Sequence, residues 1–253
     1  MNHLVVAAIV FVCVFGSALI GLSVRSRLPA HHFSDESIGV VKLATGLIAT
    51  IAALVLGLLV SSAKTSFDTV SAELTQNAAS IIRLDRVLAK YGPETHELRA
   101  SLKHIYSNSI DILETGDVVQ LAKIGSPQAV SRTEEFQRQI EALAPRNDAQ
   151  RGEKARALDI VESVFAARWL TLLQSKGSIP VALLAILVAW LSIIFGAFGL
   201  YAPRNGTVVI ALLLCALSAA GAILIIQEMA TPLDGLVRVP LGPMREALSR
   251  LGQ

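Results

Sequence analysis

The sequence has little charge, few aromatic residues and almost no cysteine. Charged residues make up 17% of the 253 residues and aromatic residues 5%, whereas a typical soluble domain is about 25% charged. The two cysteines, Cys13 and Cys215, both lie in apolar runs, so they indicate neither a disulfide framework nor a cysteine zinc site. A net charge of +2 without any basic run gives no indication of nucleic-acid binding.

Recognisable catalytic motifs are also missing from the sequence. It contains no P-loop, no G-x-S-x-G and no G-x-G-x-x-G, and His96 and His104 do not have the i, i+4 spacing of a zinc protease. No paired acid and base in or near the apolar runs suggests general acid and base chemistry. We therefore expect no enzyme activity and no cofactor.

One loop carries potential metal ligands. His31 and His32 follow the first apolar run and stand close to Asp35 and Glu36. Adjacent residues on a loop rarely converge on one ion without further ligands. We interpret the segment as a solvated loop leading into a helix capped by Ser34 or Asp35, and we expect no metal site.

Long apolar runs dominate the sequence, which is 53% hydrophobic. A helix needs about 20 residues to cross the hydrocarbon core of a membrane. Four runs meet this requirement: His3 to Val24, Gly39 to Val60, Ile179 to Leu200 and Thr207 to Ile226. The first run lacks a basic amino end and is longer than the apolar part of a signal peptide, so we expect it to be retained. We predict an all-α membrane protein with four transmembrane helices and a hydrated helical bundle between the second and third.

The second apolar run passes into water without a break. No proline or glycine pair interrupts Gly39 to Tyr91, so we predict one long helix, in lipid over its first half and hydrated over its second. Gly92-Pro93 ends this helix, because proline cannot continue it. Apolar residues recur in the hydrated half at spacings of three and four, which is a heptad seam. The seam consists of Phe67, Val70, Leu74, Asn77, Ile81, Leu84 and Leu88.

The heptad seam has two interpretations. It is either one face of a local helical bundle or a surface through which copies of the chain associate around a symmetry axis. Asn77 is the polar residue within the seam. A buried amide at such a position can specify register or oligomeric state, so Asn77 is our candidate for that role.

Small residues form one face of the same helix in its lipid half. Gly46, Thr50, Ala53 and Gly57 recur at spacings of four, three and four, and such a face lets another backbone approach closely in lipid. The face either packs inside the four-helix unit or packs around a symmetric pore. For a pore we predict the following lining residues: Thr45, Ile48, Thr50, Val55, Gly57, Leu59 and Ser61. The apolar members would close such a pore by dewetting.

The predicted elements divide the chain into four parts. Residues 1–62 hold the first two membrane helices, 63–176 the soluble domain, 177–228 the last two membrane helices and 229–253 a C-terminal motif with a short amphipathic tail. Charged residues at a membrane boundary usually function or are paired. We predict a motif at this boundary made of Glu228, Pro232, Asp234, Gly235 and Arg238.

Within the soluble domain the pattern predicts three further helices. They run from Glu94 to Glu114, from Ala129 to Leu143 and from about Asn147 to Lys176, with a short helix possible at Val118 to Lys123. After the last span, Arg245 to Leu251 has the pattern of an amphipathic helix.

The basic residues near the spans leave the orientation open. On the side of the termini lie Lys64, Arg168, Lys176, Arg238 and Arg245, and on the other side lie Arg25, Arg27, Lys42 and Arg204. The positive-inside rule needs a clear excess on one side. Charge alone therefore does not orient the chain.

Three segments carry a family resemblance. Leu54 to Thr95, Phe195 to Asn205 and Glu228 to Leu248 resemble the bestrophin-like family of bacterial membrane proteins, in the same order and over nearly the whole chain. That family is distantly similar to bestrophins, which are pentameric anion channels with four membrane helices, cytoplasmic termini and a cytoplasmic helical domain. In bestrophins the second membrane helix lines the pore. The chain departs from them in lacking a calcium-binding acidic cluster, and Gly39 to Val60 contains no aromatic residue.

The resemblance implies a homo-oligomeric ion channel in the bacterial inner membrane, with its termini and soluble domain in the cytoplasm. A pentamer is one option for the oligomer, and the ion species is left open. Membrane lipid and further copies of the chain are the expected partners, and nucleic acid is not. The alternative is a non-conducting membrane scaffold or sensor whose soluble helical domain binds a partner.

Overall fold

The computed structural model describes residues 2–25, 34–115, 126–174, 180–233, 235 and 237–253. Within these ranges the chain forms helices and no strands, as the sequence predicts. In chain order the α-helices are α1 (His3–Arg25), α2 (Asp35–Tyr91), α3 (His96–Thr115), α4 (Pro127–Glu141), α5 (Asp148–Gln174), α6 (Val181–Tyr201), α7 (Gly206–Ala230) and α8 (Gly242–Arg250). A 3-10 turn at Pro93–Thr95 joins α2 to α3.

Four of these helices are long and apolar enough to cross a membrane: α1, α2, α6 and α7. The structure therefore contains the four long apolar helices that the sequence predicts. The fourth helix continues to Ala230, beyond the predicted end at Ile226, so it includes the polar residues Gln227 and Glu228.

The long second helix is confirmed as one continuous element. It has 57 residues and begins with Asp35 and Glu36, whose negative charges suit the positive end of a helix. It ends at Tyr91, and the next residue, Gly92, has a φ of 139°, which favours glycine because a Cβ atom is poorly tolerated there. The Thr95 hydroxyl then donates to Leu88 O at 2.6 Å and to Gly92 O at 2.8 Å. These bonds attach the turn after Gly92 to the last turn of α2.

The other predicted helices differ from the structure at their ends. Glu94 lies in the 3-10 turn, and α3 begins after it. Helix α4 begins at Pro127, earlier than expected, because the Ser126 hydroxyl accepts from Ala129 N at 3.3 Å and caps the helix. The amphipathic tail forms α8 from Gly242 onward. The short helix expected at Val118 to Lys123 lies outside the described residues.

The chain divides into two compact units, and unit 1 comprises Met1–Thr65 and Ser178–Ala230. Helix α1 packs against α6 and α7 and contributes Val10, Val14 and Ala18 to the core, each at most 1% exposed. The outer surface carries large apolar side chains, of which Leu43, Val181 and Val12 are 78%, 75% and 66% exposed. So large an apolar surface indicates an apolar surrounding such as lipid.

Unit 2 comprises Ser66–Gly177 and Thr231–Gln253. Its core combines side chains from the hydrated half of α2 with others from α3, α4, α5 and α8. Among the described residues of this unit, Val237 is the exposed large apolar side chain, at 39%. Unit 2 therefore has the surface of a hydrated domain, in contrast to unit 1.

Candidate functional site

The lipid half of α2 has one face that packs inside unit 1. Ala52, Leu59 and Ala63 are buried in the core of that unit, and Ile48 and Val55 pack against it. These residues recur at spacings of three and four, which places them on one side of the helix. The same core holds side chains of α1, α6 and α7, so this face attaches α2 to the other spans.

The opposite face of α2 carries small and hydroxyl side chains. Gly46, Thr50, Ala53, Gly57 and Ser61 are all exposed. A Cβ atom built at Gly46 or Gly57 would meet nothing within 4 Å, and the Thr50 hydroxyl donates within the helix to Gly46 O at 2.9 Å. Internal packing among the described residues therefore does not account for the small residues on this face.

The seven predicted pore residues fall on both faces. The packed group is Thr45, Ile48, Val55 and Leu59, and the exposed group is Thr50, Gly57 and Ser61. A helix turns by about 100° per residue, so the two groups lie on roughly opposite sides. Around a single central pore, each α2 helix can present only one of its faces to the pore. The packed group and the exposed group are therefore alternative pore linings. Which of them lines a pore stays a prediction.

Part of the heptad seam is used inside unit 2. Ile81, Leu84 and Leu88 belong to the core of this unit, and the last two are each 1% exposed. For these residues the structure favours the local-bundle interpretation of the seam. Asn77 is half-buried, and its role in register between copies stays a prediction.

A buried ion pair that sequence reasoning missed joins α2 to α3. Asp85 is 1% exposed, and Arg99 donates from Nε and Nη2 to its two carboxylate oxygens at 2.8 and 2.9 Å. The hydrogen bond to Asp85 raises the pKa of Arg99 above its usual range. Gly252 N also donates to this carboxylate, at 3.3 Å, which attaches the segment after α8. The sequence feature that could have indicated this ion pair is the charged residue Asp85, directly after Leu84 of the seam.

Two arginines join the ends of α1 and α6. Arg25 Nη1 donates to Tyr201 O at 2.7 Å and to Ala202 O at 2.6 Å, at the end of α6. Arg204 donates from Nε and Nη2 to Leu22 O, near the end of α1, at 3.0 and 2.8 Å. Carbonyl groups at a helix end lack helical partners and carry partial negative charge, so a cationic donor stabilises them. From the sequence, these two arginines are only charges that bear on the orientation of the chain in the membrane.

The same two helices approach each other at glycines. A Cβ atom at Gly199 would overlap with Ala18 O, and one at Gly21 would overlap with Gly196 O. The backbones of α1 and α6 are therefore in direct contact, which is typical of helix pairs in lipid. The G-x-x-G spacing of Gly196 and Gly199 inside a predicted span was the signal for this contact.

The boundary glutamate of the predicted motif is buried and paired. Glu228 in α7 is 4% exposed, and its Oε1 lies 3.0 Å from His3 Nδ1 at the start of α1. Charged residues at a membrane boundary are expected either to function or to be paired, and Glu228 is paired. The partner was not predicted, because nothing in the sequence links residues 225 positions apart.

The other described residues of the predicted motif lie in unit 2. Pro232 is buried, and Gly235 has a φ of 146°, a conformation that favours glycine. Arg238 Nη1 donates to Glu114 O at 3.0 Å, so this segment contacts the end of α3. Asp234 lies outside the described residues.

The described residues contain no group of three or more His, Cys, Asp or Glu side chains placed to hold a metal ion. His31 and His32 lie outside the described part of the chain. Asp35 and Glu36 are exposed in the first turn of α2, where carboxylates are favoured without any ligand.

These features define a class of protein: an all-helical membrane protein with four apolar helices and a separate hydrated helical unit. The family model described as the bestrophin-like domain matches residues 12–244. The chain therefore belongs to the bestrophin-like family, which confirms the resemblance carried by the three sequence segments. This membership suggests a relationship to the bestrophin family, which is a family of anion channels. No curated protein and no solved structure matches the chain.

Proposed function

We propose that the protein is an ion channel built from several copies of the chain, with α2 of each copy lining a central pore. The exposed face of small and hydroxyl residues on α2 is the observation that carries this function. Because the described part of unit 1 leaves that face uncovered, it is free to meet other copies or water. Membership of the bestrophin-like family supports ion conduction. Five copies, as in bestrophins, is the expected number.

We assign the pore lining to Thr50, Gly57 and Ser61. Of the predicted pore residues, these are the three on the exposed face, whereas Leu59 is 7% exposed and packs among the spans of its own chain. Glycine allows α2 helices to approach closely around an axis, and hydroxyl groups supply hydrogen bonds to water along a pore. Leu54 lies beside this face, 67% exposed, and supplies an apolar group that would dewet a closed pore.

The proposed location is the bacterial cytoplasmic membrane, with the termini and unit 2 in the cytoplasm. The four apolar helices support a membrane location. The orientation follows the bestrophin resemblance, since the loop charges are balanced between the two sides. Lipid and other copies of the chain are the proposed partners.

Ion flux from liposomes tests the channel directly. We expect purified protein to release chloride from loaded liposomes, and Gly57→Trp to lower that flux to near the level of empty liposomes, because the indole would fill the exposed face of α2. Leu214→Trp on α7 is the matched control. Its site is 57% exposed on a different span, so flux should be unchanged.

Two results would contradict the channel. A chain that stays monomeric in lipid discs cannot form a central pore from one helix per copy. A verified oligomer without flux would favour the alternative, a non-conducting scaffold or sensor whose unit 2 binds a partner.

A further inference from the structure

The residues from α8 onward run along α3 in the direction opposite to that helix. We call residues 242–253, which comprise α8 and the three residues after it, the C-terminal segment. Near the end of α3, Arg245 Nε donates to Glu114 Oε1 at 2.8 Å. Near the start of α3, Arg99 Nη2 donates to Gln253 O at 3.1 Å. The C-terminal segment is therefore attached to opposite ends of one helix.

The C-terminal segment also contributes one apolar face to the core of unit 2. Met244, Ala247 and Leu251 recur at spacings of three and four, and each is at most 3% exposed. They belong to the same core as Leu84 of α2 and Leu98 of α3. The amphipathic pattern of α8 is thus used for packing inside unit 2.

One buried carboxylate contacts both α3 and the C-terminal segment. Asp85 of α2 is 1% exposed, and each of its two oxygens accepts from Arg99 of α3. Its Oδ2 also accepts from Gly252 N at 3.3 Å. Removing one partner of a buried ion pair is strongly destabilising, because it leaves an uncompensated charge away from water. Asp85 therefore lies where a single change affects two attachments.

The attachment at the other end of α3 is of a different kind. The side chains of Arg245 and Glu114 are 65% and 39% exposed. An exposed ion pair contributes little to stability, because water and salt screen it. The buried contacts of Asp85 are therefore the stronger attachment of the C-terminal segment.

The ion pair of Asp85 and the attachment of the C-terminal segment share a donor atom. Arg99 Nη2 lies 2.9 Å from Asp85 Oδ2 and 3.1 Å from Gln253 O. The carboxylate thus holds the guanidinium in the position from which it reaches the C-terminal segment. Without the carboxylate, Gly252 N loses a charged acceptor and Arg99 loses the charge that orients it. Both contacts to the segment then weaken together.

We propose that Asp85 is a lock for the C-terminal segment, which stays docked on unit 2 only while the ion pair between Asp85 and Arg99 is formed. Breaking the pair releases α8 as a strap, while the other helices of unit 2 stay folded. The lock rests on contacts within unit 2 and does not depend on the proposed channel.

Hydrogen exchange of the full chain in lipid discs, measured by mass spectrometry, tests the lock. Asp85→Asn should lower the protection of the α8 amides by more than about tenfold, because a hydrogen bond to a charged group typically contributes at least that factor. The amides of α5, which belongs to the same core, should keep their wild-type protection. Glu114→Gln is the matched control. It removes an exposed ion pair to the same segment, so α8 protection should change by less than about fivefold.

Unchanged α8 protection in Asp85→Asn would overturn the lock, and so would an equal loss of protection in α5, which would mean general destabilisation. A second variant covers the case in which Asp85→Asn fails to fold. Gly252→Pro removes the N–H that reaches Asp85 without altering α2 or α3, since proline has no such group. It should also lower α8 protection and leave α5 unchanged, and wild-type protection of α8 in this variant would overturn the lock.

Discussion

Tyr106 is a buried residue whose hydroxyl forms no hydrogen bond with any described group. It is 4% exposed in the core of unit 2, and its Oη has no hydrogen-bond partner among the described residues. Burial raises the pKa of Tyr106 above its usual range, because the ionised form cannot be hydrated there. In the unfolded chain the same phenol ionises near pH 10.

The sign of the resulting pH dependence follows from these two states. Because the folded state holds the phenolic proton longer, the free energy of unfolding falls as the pH rises above about 10. We expect wild type to lose about 1.4 kcal/mol more than Tyr106→Phe between pH 7 and pH 11. At pH 7 the variant should be at least as stable as wild type, because an unpaired buried hydroxyl costs about 1–3 kcal/mol. Denaturant unfolding followed by circular dichroism measures both differences, and equal alkaline losses would contradict this account.

At the scale of helices, the contact between α1 and α6 rests on glycine. Gly199→Ala would place a methyl group against Ala18 O, which is backbone and cannot move independently. We expect a loss of about 1–3 kcal/mol from the overpacking, with the two helices forced apart. The measurement is the thermal stability of the purified protein in detergent.

A second glycine in a membrane helix provides the control. A Cβ atom at Gly221 of α7 would meet nothing within 4 Å. Alanine is favoured over glycine inside a helix by about 1 kcal/mol, so Gly221→Ala should be neutral or stabilising. If both variants destabilised the protein equally, the close contact at Gly199 would not be the cause.

For the whole molecule, a reporter fusion tests the proposed orientation directly. An even number of spans places both ends of the chain on one side of the membrane. We expect a phosphatase that is active only in the periplasm to stay inactive when fused after Gln253. The same reporter fused to a chain that ends at Asn205, in the turn between α6 and α7, should be active. Reversed activities would place unit 2 in the periplasm.

The fold was predictable from sequence to different degrees in the two units. Apolar length identified the four spans, since about 20 residues are needed to cross a membrane and few alternatives exist. The continuity of α2 was also predictable, because no residue between Asp35 and Tyr91 breaks a helix. The contacts between helices were not. Asp85 with Arg99, and Arg25 with the end of α6, depend on which helix faces which.

For the candidate site, the sequence predicted which helix is involved but not which face of that helix. Small-residue spacing identified α2, but the seven predicted pore residues divide between its two faces. A periodic pattern shows that residues share a face without showing what covers that face. Only the packing of Leu59 and Ala63 into the core separated the inner face from the exposed one.

By itself, the sequence determined the membrane class, the four spans, the unbroken α2 and the family, because each depends on composition and on order along the chain. The tertiary structure alone decided that Glu228 meets His3, that glycines bring α1 against α6, and that the small face of α2 stays exposed. Contacts between residues as far apart as 225 positions leave no periodic trace in a single sequence. They depend on how each helix is rotated about its own axis when it packs. Successive residues of a helix point in directions about 100° apart, so this rotation decides which residue faces the neighbouring helix.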